Sequence, residues 1–180
     1  MDLGIISMRY AKALLRFAEE QRQESQVYTE MQTLATSFAR VPALQSALLN
    51  PVAGSAEKVR LLTIAACGKA EASAATTLFL QLVVRKGRAD VMQFVAHSFC
   101  SIYRQTKHII NARLVVSTQV DDEVIARLRK MVEGKTNGNI QFEMEVNPEI
   151  EGGFILEYGT YRLDASLRTQ ISKLKRQLAK

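Results

Sequence analysis

The chain has 180 residues, of which 47% are hydrophobic and 23% are charged, with only three prolines and nine glycines. This composition excludes an intrinsically disordered or low-complexity chain, and the length suits one domain or two small ones. The formal net charge of +6 permits an anionic partner, but the longest basic cluster is only Arg85–Arg88, "RKGR".

The N-terminal part of the chain repeats its apolar residues at helical spacing. A first helix places Ile6, Tyr10 and Phe17 on one face. A second helix must end before Pro42, because the residue that precedes a proline disfavours helical geometry. A short helical turn follows, and the pair Asn50–Pro51 ends it.

Three more helices are predicted after this break. We expect Ser55 to cap the fourth helix and Gly68 to end it. The fifth, Ala72–Arg85, is apolar on nearly all sides and is followed by the "RKGR" cations, which suit the negative end of the helix dipole. A sixth helix begins near Ala89. Residues 1–108 are therefore predicted to form an N-terminal bundle of five long helices and one short one.

After His108 the hydrophobic period changes from helical to alternating. The stretches "IINARLVVS" and "NIQFEMEV" alternate apolar and polar residues, which is typical of half-buried strands. We expect Asp121 to cap a helix between them. The strands "FILEY" and "YRL" are joined at Gly159–Thr160, which suits a two-residue hairpin turn.

A last helix carries an apolar stripe of four residues, Leu167, Ile171, Leu174 and Leu178. Residues 109–180 are therefore predicted to form a small α+β C-terminal domain with a short sheet and a terminal helix. The predicted fold class of the whole chain is α+β, mainly α.

No set of residues typical of a catalytic, cofactor or metal site occurs in the sequence. His97 and His108 lack HExxH-type neighbours, and no P-loop, GxGxxG or GxSxG motif is present. Cys67 and Cys100 have no CxxC partner and are expected to be buried thiols. The acidic run Asp121–Glu123 is explained by a helix start. We expect a protein without enzymatic activity, cofactor or metal.

The glycine pair Gly152 and Gly153 raises the question of a phosphate site, because glycine-rich turns can expose backbone N–H groups to an anion. Such a site needs the glycines to precede a helix, whereas these two precede the strand "FILEY". Close backbone packing or a bulge is the better interpretation. The last helix is cationic but lacks aromatic residues on the same face, so binding of nucleic acid is not favoured.

No apolar run approaches the roughly 18 residues that a membrane-spanning helix needs. The N-terminal segment carries Arg9, Lys12 and Arg16 and no signal-peptide cleavage region. We expect an intracellular protein that does not itself insert into a membrane.

The first and fifth helices carry more apolar surface than one helix contact should use. Excess apolar faces in a small bundle form grooves for an amphipathic partner helix. The alternative is that the other helices cover these faces completely, and the pattern alone leaves both open.

Three motifs resemble the δ subunit family of bacterial F-type ATP synthases, the counterpart of the mitochondrial oligomycin-sensitivity-conferring protein. They are "RYAKALL" at Arg9–Leu15, "VVRKGR" at the end of the fifth helix, and "IEGGFILEYG...LDASLR" near the C-terminus. The matching positions of the third motif are Gly152, Gly153, Phe154, Gly159, Asp164, Ser166 and Arg168. The sequence departs from the usual family pattern where "DAS" replaces "DGS" and where "EYG" carries Glu157 and Tyr158.

The resemblance implies a non-catalytic stator subunit of a proton-translocating ATP synthase, peripheral on the cytoplasmic face of the plasma (inner) membrane. Its helical domain would bind the N-terminal helix of an α subunit, and its C-terminal part would join the b subunits of the peripheral stalk. Rotation could then drive ATP synthesis. A basic helical protein that binds nucleic acid or ribosomes is the alternative, supported only by the basic composition and the last helix.

Carried over by position, the groove for the α subunit lies between the first and fifth helices. Its expected residues are Tyr10, Ala11, Leu14, Leu78, Leu82 and Val83. We expect Leu14→Asp or Leu82→Asp to abolish binding without unfolding the bundle.

Overall fold

The computed structural model describes residues 3–68, 70–118, 120–136 and 139–178. The fold is α+β and mainly helical, with eight α-helices and one four-stranded mixed sheet in the described residues. The chain divides into two compact units, Met1–Gln105 and Thr106–Lys180.

Helices α1 to α6 precede the sheet. They are α1 (Leu3–Glu20), α2 (Glu24–Arg40), α3 (Ala43–Leu49), α4 (Ser55–Cys67), α5 (Ala74–Arg85) and α6 (Met92–Thr106), with a 3-10 turn at Ala89–Val91 before α6. Each long helix buries residues at helical spacing, as the 3.6-residue period requires. The largest fully buried side chains of α1 to α6 are Leu14, Met31, Leu34, Leu48, Leu62, Leu80, Met92 and Phe99.

The starts of α4 and α5 differ from the sequence prediction, whereas the end of α4 agrees with it. Gly68 ends α4 as expected, with a φ of 62° and its N–H donating to the carbonyl of Ile64 at 2.7 Å. Ser55, however, does not cap that helix, because Gly54 occupies the cap position and no side-chain cap bond forms. Helix α5 begins at Ala74 because the Ser73 hydroxyl accepts a hydrogen bond from the backbone N–H of Thr76 at 3.2 Å.

The second unit contains the sheet. Its elements are β1 (Ile109–Val116), α7 (Asp122–Thr136), β2 (Asn139–Val146), a 3-10 turn (Pro148–Ile150), β3 (Phe154–Tyr158), β4 (Tyr161–Asp164) and α8 (Leu167–Leu178). The strand order is β2-β1-β3-β4. Strands β1 and β2 are parallel and joined through α7, while β1–β3 and β3–β4 are antiparallel. Tyr158 pairs with Tyr161, which confirms the predicted two-residue turn at Gly159–Thr160.

The sheet carries two separate apolar clusters, one around Leu114 and Leu156 and a smaller one of Val115, Ile150 and Ile155. On one face, Val132 of α7 packs against Leu114, Ile140 and Leu156. The alternation predicted for β2 gives a buried face only at its start, because Ile140 is buried whereas Met144 and Val146 are exposed.

A row of ion pairs crosses the exposed surface of the sheet. Arg113 on β1 pairs with Glu145 on β2 and, at 3.4 Å, with Glu157 on β3. Glu157 in turn pairs with Arg162 on β4 at 3.2 Å. Charges of alternating sign therefore connect all four strands, and the two carboxylates raise the pKa of the Arg113 guanidinium.

Candidate protein-binding groove and signature turn

Helices α1 and α5 form the walls of a groove. The side-chain carbonyl of Gln23, just after α1, accepts a hydrogen bond from the backbone N–H of Ala75 at the start of α5, at 3.2 Å. The end of α1 therefore lies beside the beginning of α5, so the two helices run in opposite directions. Tyr10 and Phe79 meet edge-on across the groove, with ring centroids 6.3 Å apart.

The space between these helices is a cavity of about 620 Å³. This is within the range of pockets that hold ligands or inserted side chains. Its lining is mostly apolar and consists of Ile6, Arg9, Tyr10, Ala13, Leu14, Phe17, Leu78, Phe79, Leu82, Arg85 and Arg88.

Four of the six residues expected at the groove line it: Tyr10, Leu14, Leu78 and Leu82. The other two, Ala11 and Val83, are fully buried and do not belong to the lining. Each follows a lining residue, and one step along a helix rotates the side chain by about 100°, which here turns it into the core. Ala11 and Val83 therefore face the core of this unit and not the cavity.

The cavity is lined by more residues than the six that the sequence predicted. Ile6, Ala13 and Phe17 also line it, and they share the i, i+3, i+4 spacing of Tyr10 that placed them on one helix face. Arg85 and Arg88 of the lining were not predicted, because "RKGR" is equally typical of a helix end. Arg9 was not predicted either, because a single arginine on an amphipathic helix is typical of its solvent face.

A buried carboxylate fixes the start of α5. Glu30 of α2 accepts hydrogen bonds from the backbone N–H and the hydroxyl of Ser73, both at 2.7 Å, and from the Gln26 side chain at 3.1 Å. A buried carboxylate is retained only when such donors replace water. Glu30 thereby holds the N-terminal end of one groove wall against α2.

Cys67 and Cys100, both in the first unit, are free thiols. Burial raises the pKa of Cys67, with the charge of Glu30 as a second cause, and burial raises the pKa of Cys100 to about 11. Neither thiol is activated as a nucleophile.

A second apolar surface lies on α8. No described residue of this helix is buried. The side-chain stripe of Leu167, Ile171, Leu174 and Leu178 has between 42% and 87% of its area exposed. An exposed apolar stripe on an amphipathic helix is typical of a protein-binding surface.

The glycine pair packs against the start of α8. A Cβ atom on Gly152 would lie 2.6 Å from Cδ1 of Leu167, and one on Gly153 would lie 2.2 Å from the carbonyl oxygen of Ala165. Gly153 also has a φ of 75°, in the left-handed region that favours glycine. The backbone N–H of Leu167 donates to the carbonyl of Gly152 at 3.0 Å. Close approach of the Ala165 backbone accounts for Gly153, and packing of the Leu167 side chain together with a φ of 153° accounts for Gly152.

The Asp-Ala-Ser turn caps α8. Asp164 Oδ1 accepts from the N–H of Ser166 at 3.0 Å and from its hydroxyl at 2.6 Å, while Oδ2 accepts from the hydroxyl of Thr169 at 3.0 Å. These bonds lower the pKa of the Asp164 carboxyl. Ser166 Oγ accepts from the N–H of Thr169 at 3.3 Å, a helix N-cap bond. Arg168 is exposed and lies 3.7 Å from Glu149.

Within the described parts of the chain, no group of three His, Cys, Asp or Glu side chains is placed to hold a metal ion. Among the same residues, no helix has the length and apolar character needed to cross a bilayer.

Comparison with known proteins gives consistent matches along the chain. The family model for the ATP synthase delta (OSCP) subunit matches residues 6–178. The chain is 43% identical to ATP synthase subunit delta of Phocaeicola vulgatus over 177 residues, covering 98% of this chain and 95% of that protein. It is 41% identical to ATP synthase subunit delta of Parabacteroides distasonis over 175 residues, covering 97% and 96%.

A solved structure has a similar fold. One chain of a cryo-EM structure of the Toxoplasma gondii mitochondrial ATP synthase hexamer aligns with a TM-score of 0.58 and 20% identity, covering 97% of both chains.

Proposed function

The chain belongs to the ATP synthase delta (OSCP) subunit family, and on this premise we propose that its α1/α5 groove binds the N-terminal helix of the ATP synthase α subunit. As a member of this family it is a structural, non-catalytic subunit of the ATP synthase. The alternative of a protein that binds nucleic acid or ribosomes is not supported.

The observation that carries the proposal is the open apolar groove. Leu78 and Leu82 are 54% and 37% exposed at its rim, although they belong to the most apolar helix of the unit. The lining of α1 extends from Ile6 to Phe17, about 17 Å of helix. A partner helix of about three turns fits this length, and its side chains at i, i+3 and i+4 would fill the cavity.

We assign the contact with the catalytic head to residues 1–108, as an N-terminal bundle of five long helices and one short one. Residues 109–180 form the C-terminal domain that joins the b subunits of the peripheral stalk. The exposed stripe of α8 supports this second contact, because helix packing would bury it.

The subunit would then connect two parts of one machine. Torque from the rotating shaft acts on the catalytic head, and a stator must hold the head still while ATP is made. Apolar helix contacts resist such a load through slow dissociation and need no side-chain chemistry. The subunit would lie at the cytoplasmic face of the inner membrane through the rest of the complex, without inserting itself.

A binding measurement tests the groove. A labelled peptide of about 20 residues from the N-terminus of the same organism's α subunit is titrated with the full chain, and its fluorescence anisotropy is recorded. We expect saturable binding that Leu78→Asp or Leu82→Asp abolishes, because each places a carboxylate in the apolar groove.

Ile64→Asp is the matched control for Leu78→Asp. Ile64 is 51% exposed, close to the 54% of Leu78, but it lies on α4 outside the groove lining. The control should bind the peptide normally, and all variants should keep the far-UV circular dichroism of the unchanged chain. A wild-type chain that does not bind the peptide would refute the assignment of the groove.

A further inference from the structure

One end of the groove is basic. Arg9 comes from α1, Arg85 is the last residue of α5, and Arg88 follows shortly after it. No acidic side chain is found among the described residues that line the cavity. The groove therefore combines an apolar floor with three positively charged side chains.

The antiparallel arrangement places these three arginines in the same half of the groove. The Gln23–Ala75 hydrogen bond joins the C-terminal end of α1 to the N-terminal end of α5. The C-terminal end of α5, with Arg85, must then lie toward the N-terminal half of α1, where Arg9 stands. Phe17 and Leu78 lie toward the opposite end, which is apolar.

None of the three guanidinium groups is paired within the described parts of the chain. The ion pairs there involve Arg113, Arg127, Arg162 and Arg168 instead. The helix dipole accounts for Arg85, which is in the last turn of α5, but not for Arg9, which stands near the positive end of α1. Guanidinium groups stay charged at any ordinary pH, so this part of the groove attracts anionic groups of a bound partner.

We infer that this arginine end recognises acidic side chains of the bound helix and so fixes the direction in which that helix lies in the groove. The inference rests on the proposed function, since it describes the occupant of the same groove. An apolar stripe at i, i+3 and i+4 fits an apolar floor in either direction. Carboxylates near one end of the helix remove this ambiguity, because only one direction places them beside the arginines.

Charge reversals test the inference in the same titration. We expect Arg9→Glu and Arg85→Glu in the full chain to weaken binding of the α-subunit peptide by about tenfold each at low salt. Arg85→Lys should retain part of the affinity, because it keeps the charge but loses the bidentate geometry. Replacing the peptide's acidic residues with lysine should restore binding to the Glu variants and weaken binding to the wild-type chain.

Arg16→Glu is the matched control. Arg16 is an exposed arginine of the same helix α1, it lies outside the groove lining, and its reversal changes the net charge equally. We expect a smaller effect than at Arg9 or Arg85, about twofold, because the Arg16 side chain does not line the groove and cannot contact the bound helix directly.

Cross-linking measures separately the direction in which the peptide helix lies in the groove. A photoreactive group at the acidic end of the peptide should attach beside Arg85 in the wild-type chain, and at both ends of the groove in the Arg9→Glu/Arg85→Glu variant. If the arginine variants bind like Arg16→Glu and keep one cross-link pattern, the inference is wrong while the groove assignment stands. If the wild-type chain does not bind the peptide, the proposed function itself fails, and the inference fails with it.

Discussion

Leu14 and Leu78 both line the groove, but they differ in how far solvent reaches them. Leu78 is 54% exposed, whereas Leu14 is 1% exposed and belongs to the core of the bundle as well. The sequence expectation that Leu14→Asp leaves the bundle folded therefore has to be corrected, because the new carboxylate would be buried without a partner. Leu82, at the rim, suits that experiment.

Truncation of Leu14 should show its role in stability. We expect Leu14→Ala to lower the free energy of unfolding by about 2–5 kcal/mol, the cost of removing a buried leucine side chain. Leu78→Ala should cost less than about 1 kcal/mol, since its side chain is half in solvent. Urea denaturation followed by circular dichroism measures both. Equal losses for the two variants would contradict the division between core and rim.

Gly153 is a second position where a single substitution should change stability. In Gly153→Ala the added Cβ meets the carbonyl oxygen of Ala165 at 2.2 Å, and the backbone φ of 75° adds strain, so the second unit should lose several kcal/mol. Gly134→Ala is the control, because Gly134 lies in α7 with no atom near its Cβ position. It should stabilise α7 by up to about 1 kcal/mol. Thermal unfolding of both variants distinguishes these outcomes.

At the scale of elements, periodicity and turn chemistry predicted most helices and strands. The helical positions, the two strands "IINARLVVS" and "NIQFEMEV", and the Gly159–Thr160 turn all occur in the structure. The start of α5 was predicted two residues too early, at Ala72, because helical periodicity does not show which residue caps the helix. Ser73 caps it and is also bonded to Glu30, 43 positions away in the sequence. The apolar excess of α1 and α5 indicated a groove, but it did not show which residues face that groove, because this depends on how the helices pack against each other.

The cap of α8 should respond to pH. Hydrogen bonds from Ser166 and Thr169 lower the pKa of Asp164 below its ordinary value of 3.8. A carboxyl with a lowered pKa in the folded state stabilises that state above pH 3.8 and loses its contribution as the pH falls toward the lowered pKa. We expect the melting temperature of Asp164→Asn to lie below that of the wild-type chain at pH 6. The difference should shrink as the pH falls below about 4, whereas a constant difference would argue against this role.

The stripe of α8 makes a separate prediction about the stalk. Leu174→Asp should reduce co-purification of the full chain with the b subunits, because it places a charge in an apolar contact. Lys173→Asp is the control, since it adjoins Leu174 in sequence but lies outside the apolar stripe. The secondary structure should not change in either variant, because α8 contributes no buried side chain to the described fold. Unaltered co-purification of Leu174→Asp would place the stalk contact elsewhere.

At the scale of the whole molecule, two features of the sequence indicated the function: the absence of a set of catalytic residues and the presence of a family motif. No arrangement of His97, His108 or the two cysteines suggested catalysis, and family membership agrees with a structural role. The signature motif around Gly152 and Asp164 identified the family, yet the structure gives it an architectural task, the packing and capping of α8. The C-terminal motif therefore positions α8, the helix whose stripe we propose for binding, whereas "RYAKALL" and "VVRKGR" contribute residues directly to the lining of the groove.

The row of alternating charges across the sheet has a consequence for how faithfully the second unit forms. A slip of one residue between β1 and β3 would turn Arg113 or Glu157 toward the apolar cluster around Leu114 and Leu156. The same slip would also break the row of ion pairs. Misregistered pairings are thus penalised twice, by a buried charge and by lost attraction. The two edge strands also end this row with charged side chains, Glu145 on one edge and Arg162 on the other, which discourages the growth of aggregates by strand addition before the subunit is assembled.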